Sequence, residues 1–126
     1  MWAKIFMAAG GCGGCAGVVL GALQTHTLAT RVDGDGLATL STASDYLLVH
    51  GLLLVAIAMG LRAAPAAFSL RLAGTLIMLG MICFCGGLTI SALGGGAWAA
   101  IAPLGGIGLI AGWLTLAVYG STGPRA

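Results

Sequence analysis

Charge is what this sequence has least of. Only 6% of its 126 residues are charged, and the acidic ones reduce to three aspartates, with no glutamate. A soluble globule of this length would lack the polar surface to cover itself. With 60% hydrophobic residues and a mean hydropathy of +1.10, the chain has lipid as its natural solvent. The five cations, Lys4, Arg31, Arg62, Arg71 and Arg125, stand singly. A nucleic-acid footprint or a polybasic patch requires a cluster, so nucleic acid is not an expected partner. Also missing are a nucleophile beside a base, a phosphate loop and a pair of carboxylates, so no enzyme activity is expected.

What the sequence does have is long apolar runs. Residues 5–23, 46–61, 72–93 and 97–119 are free of Asp, Glu, Lys and Arg. Each is near the ~20 residues that a helix needs to cross ~30 Å of hydrocarbon. The second run is short, but Asp35-Gly36 offers a start, and Leu37, Leu40 and Leu47 carry a helical stripe into it. The runs predict an all-α fold, one integral membrane bundle of four transmembrane helices over about 4–25, 38–61, 68–93 and 98–120. Lys4 ahead of a small-residue-rich run could also head a signal peptide. The run is long enough to span and the chain begins at Met1, so a retained first helix is expected.

Orientation follows from the cations. Lys4, Arg62, Arg71 and Arg125 fall on one side of such a bundle, whereas Arg31 falls on the other with Asp33 and Asp35. The positive-inside bias puts both termini in the cytoplasm. Residues 27–37 are then the one sizeable outer connection, which explains why polarity collects there. Residues 63–70, with Pro65, form a tight turn between antiparallel neighbours, and the tail from Ser121 is too short to fold.

Glycine marks the packing. Gly13, Gly17 and Gly21 recur every four residues in the first run, and Gly108 and Gly112 repeat the spacing in the fourth. Lipid gives helices little hydrophobic reason to associate, so close contact along small-residue grooves holds a bundle together. The stripe serves an internal seam first, because the chain must fold itself, and an oligomer interface second. Pro103, with Gly105 and Gly106 after it, marks a kink or a late start of the fourth helix.

Cys12 and Cys15 have the spacing of a redox motif, but they sit inside an apolar run with nothing to lower a thiol pKa. They share a membrane depth with Cys83 and Cys85, which would suit a soft metal. Cys83 and Cys85 point to different faces, however, and buried cysteine commonly behaves as a small hydrophobe, so no metal site and no cofactor are assigned.

The polar intramembrane candidates are His26, Tyr46 and His50. Tyr46 and His50 are four apart and share a helix face, with His50 roughly 12 Å below an entrance near Thr42. An ionisable group at that depth needs a partner. His26, at the end of the first helix, would meet the pair if the two helices are neighbours. Asp45, offset by one residue from Tyr46, turns to another face, toward Arg31 or water. The simplest role for His50 is a neutral tether that bonds one helix to the next. A proton or ligand site, or haem or metal ligation, are the other readings.

The segments GALQTHTL, DYLLVHGLLL, GGLTISALGG and IAPLGGIGLIAGWLTLA resemble successive signatures of the DUF423 family of small bacterial membrane proteins. The resemblance covers nearly the whole chain after residue 10. It is most specific from Pro103 to Trp113 and at the two histidines. It implies a four-helix protein of the bacterial cytoplasmic (inner) membrane, and it brings no settled activity. Gln24, Thr25 and Thr27 stand where the family pattern has small residues, Leu23 where it has an aromatic, and Leu47 and Val49 where it is often polar or aromatic. These departures weaken the case for a conducting path. The expected role is that of a non-enzymatic accessory or scaffolding subunit, packing with itself or with a larger membrane complex. The alternative is a small conduit or ligand-binding protein that uses His26, Tyr46 and His50.

Overall fold

A computed structural model describes residues 1–122 of the chain. It contains four long helices: α1 (Trp2–Leu23), α2 (Gly34–Ala63), α3 (Phe68–Ala92) and α4 (Ile101–Thr122). All four are long and apolar enough to cross a membrane. The chain is an all-α membrane protein with four spanning helices, and Arg125 lies outside the described residues.

The helix ends depart from the sequence reading where local polar chemistry sets them. Beyond Leu23, α1 runs into a wider π turn over Gln24–Leu28. The connection to α2 is thereby cut to residues 29–33, shorter than the 27–37 expected. Asp33 then caps α2, its carboxylate accepting the Gly36 amide at 2.8 Å, so the helix begins at Gly34 and not at 38. Such a cap satisfies an amide that the first turn would leave unpaired. The result is a 30-residue helix, ~45 Å long at 1.5 Å per residue, which outreaches ~30 Å of hydrocarbon.

Helix α3 ends in a Schellman turn. The Gly94 amide donates to Ser91 and the Gly95 amide to Ile90, with Gly94 at φ +95°, a conformation that side chains with a Cβ rarely adopt. A short 3-10 turn over Gly96–Ala100 follows, and α4 starts late, at Ile101. Pro103 sits in its first turn, where the missing amide hydrogen costs little.

Glycine lets the backbones meet in two seams. Between α1 and α2, a Cβ on Gly10 would fall 2.6 Å from the Gly51 carbonyl oxygen, and one on Gly51 would fall 2.9 Å from the Gly14 nitrogen. Gly13, Gly17 and Gly21 continue along the side of α1 turned inward: Gly17 faces Leu48 and the Ser44 carbonyl, Gly21 faces the Ser44 hydroxyl, and Gly13 admits the Met81 thioether from α3. The buried Ser44 Oγ donates to the Gly17 carbonyl at 2.9 Å. Between α3 and α4, a Cβ on Gly80 would fall 2.8 Å from the Leu109 nitrogen, and one on Gly87 2.9 Å from the Ala102 nitrogen. From the other side, Gly105 lies against the Phe84 backbone, Gly108 over Gly80, and Gly112 against Ile77.

A third contact, α2 on α3, joins the two glycine pairs. Its core of Leu54, Ile57, Leu61, Leu70, Ile77 and Met81 is completed by Phe6, whose ring lies on Gly74. The helices therefore form a row in chain order. Among the described residues, the backbone of α4 comes close to neither α1 nor α2.

Candidate functional site

The row leaves a gap between α2 and α4, and the most polar intramembrane cluster fills part of it. His50 lies on α2 thirteen residues before Ala63, ~20 Å along the helix axis. It is 5% exposed. Its Nδ1–H donates to the Tyr46 carbonyl at 2.8 Å, and its Nε2 accepts the Trp113 indole N–H at 3.3 Å. A carbonyl only accepts and an indole only donates, so this geometry requires a neutral imidazole with its proton on Nδ1.

Aromatic packing fixes the surroundings. The Tyr46 ring stacks on His50 with centroids 5.3 Å apart and leans on Phe84 of α3 at 4.8 Å. Trp113 meets His50 edge-on at 6.3 Å. The four-residue spacing of Tyr46 and His50 aligns them on one face of α2. On the other wall, Gly105 draws α4 against the Phe84 backbone, which leaves Trp113 to reach across to α2.

Beside this cluster is a cleft of about 520 Å³, with Asp45, Tyr46, Val49 and His50 on one wall and Phe84, Gly106, Leu109, Ile110 and Trp113 on the others. The lining is apolar and aromatic with a few polar points. Small-molecule sites have this character and size, ~300–1,000 Å³ with few polar groups.

Not all the candidate residues converge here. His26 is exposed within the π turn and does not line the cleft. Although α1 and α2 are neighbours, His26 therefore does not join Tyr46 and His50. Asp45, read as facing Arg31 or water, is exposed and also borders the cleft, and among the described residues it forms no ion pair with Arg31. Trp113 and Phe84 were not singled out as site residues. Neither stands near Tyr46 in sequence, and their meeting depends on which helices are neighbours. Cys12 and Cys15 are exposed while Cys85 is buried. Among the described residues no three His, Cys, Asp or Glu side chains gather as a metal would need.

Comparison with known proteins agrees with this architecture at the level of family. A UPF0382 membrane protein of Staphylococcus saprophyticus is 32% identical over 116 residues, covering 91% of this chain and 95% of its own. UPF0382 membrane proteins of Staphylococcus haemolyticus and Staphylococcus epidermidis are 33% and 31% identical, each over 91% of this chain and 93% of theirs. No solved structure matches the chain. The model of a protein family of unknown function, DUF423, matches residues 20–106, a stretch that contains Tyr46, His50 and Phe84, and the chain belongs to that family.

Proposed function

We propose that this protein works by binding rather than by chemistry, and that the α2–α4 cleft takes a small amphipathic ligand from the bilayer. The observation that carries this reading is the cleft itself: an apolar, aromatic-walled space of about 520 Å³ that borders Asp45, Tyr46 and His50 within the spanning part of the helices. Polar groups at that depth commonly mark a pathway or a ligand. His50 has its proton on the Tyr46 carbonyl and its lone pair on Trp113, an arrangement that favours fixing the walls over acting as a free base. Cytoplasmic termini and residence in the bacterial inner membrane complete the proposal, supported by the distribution of Lys4, Arg62 and Arg71 against Arg31.

The test is purification from native membrane in mild detergent, with an absorption spectrum and mass spectrometry of whatever small molecule accompanies the protein. Val49 is 54% exposed and lines the cleft, so Val49→Trp should fill the space without disturbing a seam. A co-purifying compound that is lost in Val49→Trp supports the reading. An identical small-molecule profile for the two proteins would overturn it.

An accessory role in a larger complex is the second reading. The helices form a row and leave two edges, α1 and α4, each packed on one principal neighbour. A partner subunit identified in the same purification, and retained in Val49→Trp, would favour it.

A further inference from the structure

At the opposite end of the molecule from the Asp33 cap, where α1 and α3 begin, a second cleft of about 190 Å³ opens between Trp2, Phe68, Arg71, Leu72 and Thr75. Its floor is secured by aromatic packing. Trp2 rests on Phe6 at 5.7 Å, and Phe6 rests on Gly74.

The cation in this cleft is incompletely engaged. One terminal nitrogen of Arg71 donates to the Ala66 carbonyl at 3.2 Å. Its Nε is buried and has no hydrogen-bond partner among the described residues. A guanidinium carries five donors and keeps its charge at any physiological pH, so a half-buried one calls for an anion. The Thr75 hydroxyl already donates its proton to the Arg71 carbonyl at 2.9 Å, so the guanidinium is the cleft's donor for an anion.

No side chain supplies that anion. The acidic residues are Asp33, Asp35 and Asp45, all in or before the first half of α2. Lys4, Arg62 and Arg71 share the cleft's end of the bundle without a carboxylate side chain among the described residues. The rest of the lining is apolar. Leu72 and Leu79 are exposed along α3 and seven residues apart, which puts them in one row running from beside Arg71 into the hydrocarbon, while the exposed Phe68 stands about one turn nearer the helix start.

A site with a cation at its mouth, a tryptophan beside it and an apolar row below matches an amphiphile with a phosphate head. We propose that this cleft binds the headgroup of an anionic phospholipid of the adjoining leaflet, with Arg71 on the phosphate beside Trp2 and Phe68 and an acyl chain along Leu72 and Leu79. Basic pockets between spanning helices are suited to such headgroups, and a bidentate guanidinium suits a phosphate.

The experiment uses the full chain in detergent with equal amounts of phosphatidylglycerol and phosphatidylcholine, read by native mass spectrometry. The wild type should retain phosphatidylglycerol about fivefold or more over phosphatidylcholine, the effect of roughly one cation at a membrane surface. Arg71→Gln should remove the preference, and Arg62→Gln, an exposed cation at the same end, should leave it. Leu72→Trp, which keeps every charge but fills the cleft, should lower retention. Equal loss in Arg62→Gln and Arg71→Gln would mean diffuse charge and overturn the site. Displacement of the lipid by an equal concentration of inorganic phosphate would mean a simple anion site and also overturn it. Should Arg71→Gln fail to fold, Leu72→Trp decides: lowered retention supports the proposal and unaltered retention overturns it.

Discussion

Trp113 donates its indole proton to His50 across a gap where the backbones of α4 and α2 do not approach each other among the described residues. Two long side chains thus join helices that no glycine seam unites. In lipid, a hydrogen bond between helices contributes about 0.6 kcal/mol on average and up to ~2. Its larger effect is on geometry, since it sets the width of the cleft beside it.

That geometry leads to the first prediction. His50→Gln should fold with nearly full stability, because an amide can still both donate and accept. His50→Leu should cost about 1 kcal/mol or somewhat more, and Trp113→Phe a similar amount, since each leaves the other partner unpaired. Unfolding in mixed micelles measures both. The double variant should cost less than the sum of the two, and strict additivity would show that the bond carries no energy. His26→Leu should cost less than His50→Leu, because His26 is exposed at the end of α1. If His50→Gln stayed stable yet lost a co-purifying ligand, Tyr46→Phe should be tested for the same loss.

A second prediction separates the seam from the lipid face of α1. At Gly17 a side chain would meet Leu48 at 2.8 Å and the Ser44 carbonyl at 3.1 Å, whereas nothing lies within 4 Å of a Cβ on Gly11. Gly17→Leu should therefore destabilise the protein by roughly 1 to 3 kcal/mol, the usual scale of overpacking. Gly11→Ala should be neutral or slightly stabilising, by up to about 1 kcal/mol from helix propensity. Thermal unfolding of the two variants side by side checks the contrast, and equal melting behaviour would show that the seam tolerates separation.

The third prediction concerns orientation. With Lys4, Arg62 and Arg71 at one end of the helices and Arg31 at the other, the termini should face the cytoplasm. Single cysteines at positions 31 and 125, in a background without the four native ones, should label from outside and from inside respectively. External labelling at 125 would reverse the assignment.

The spans were legible because hydropathy over ~20 residues is a coarse property that a few polar residues do not erase. Their ends were less so. The start of α2 depends on one carboxylate reaching one amide, Asp33 to Gly36, and Asp35-Gly36 offered a competing signal two residues later. The π turn at Gln24–Leu28 has no marker in the sequence comparable to a proline or a glycine. At the cleft, helical spacing explains why Tyr46 and His50 share a face, but a period says nothing about which helix lies opposite. Trp113 becomes a partner of His50 only because Gly105 and Gly112 seat α4 on α3 at the right angle and depth, a tertiary fact. Asp45 escaped for a related reason: a one-residue offset turns a side chain by about 100°, far enough to leave the Tyr46 face but not the cleft's rim.

The ordering of the helices in a row also bears on how the protein is made. Each helix after the first packs on the one synthesised immediately before it, so most of the packing forms between segments that emerge in succession. The α1–α2 hairpin can close along Gly10, Gly17 and Gly51 while α3 is still being translated, and α3 then offers α4 a finished glycine track. The contact between Trp113 and His50, 63 residues apart in the chain, is among the last to become available, which makes the cleft a late product of biogenesis built on a scaffold already assembled in order.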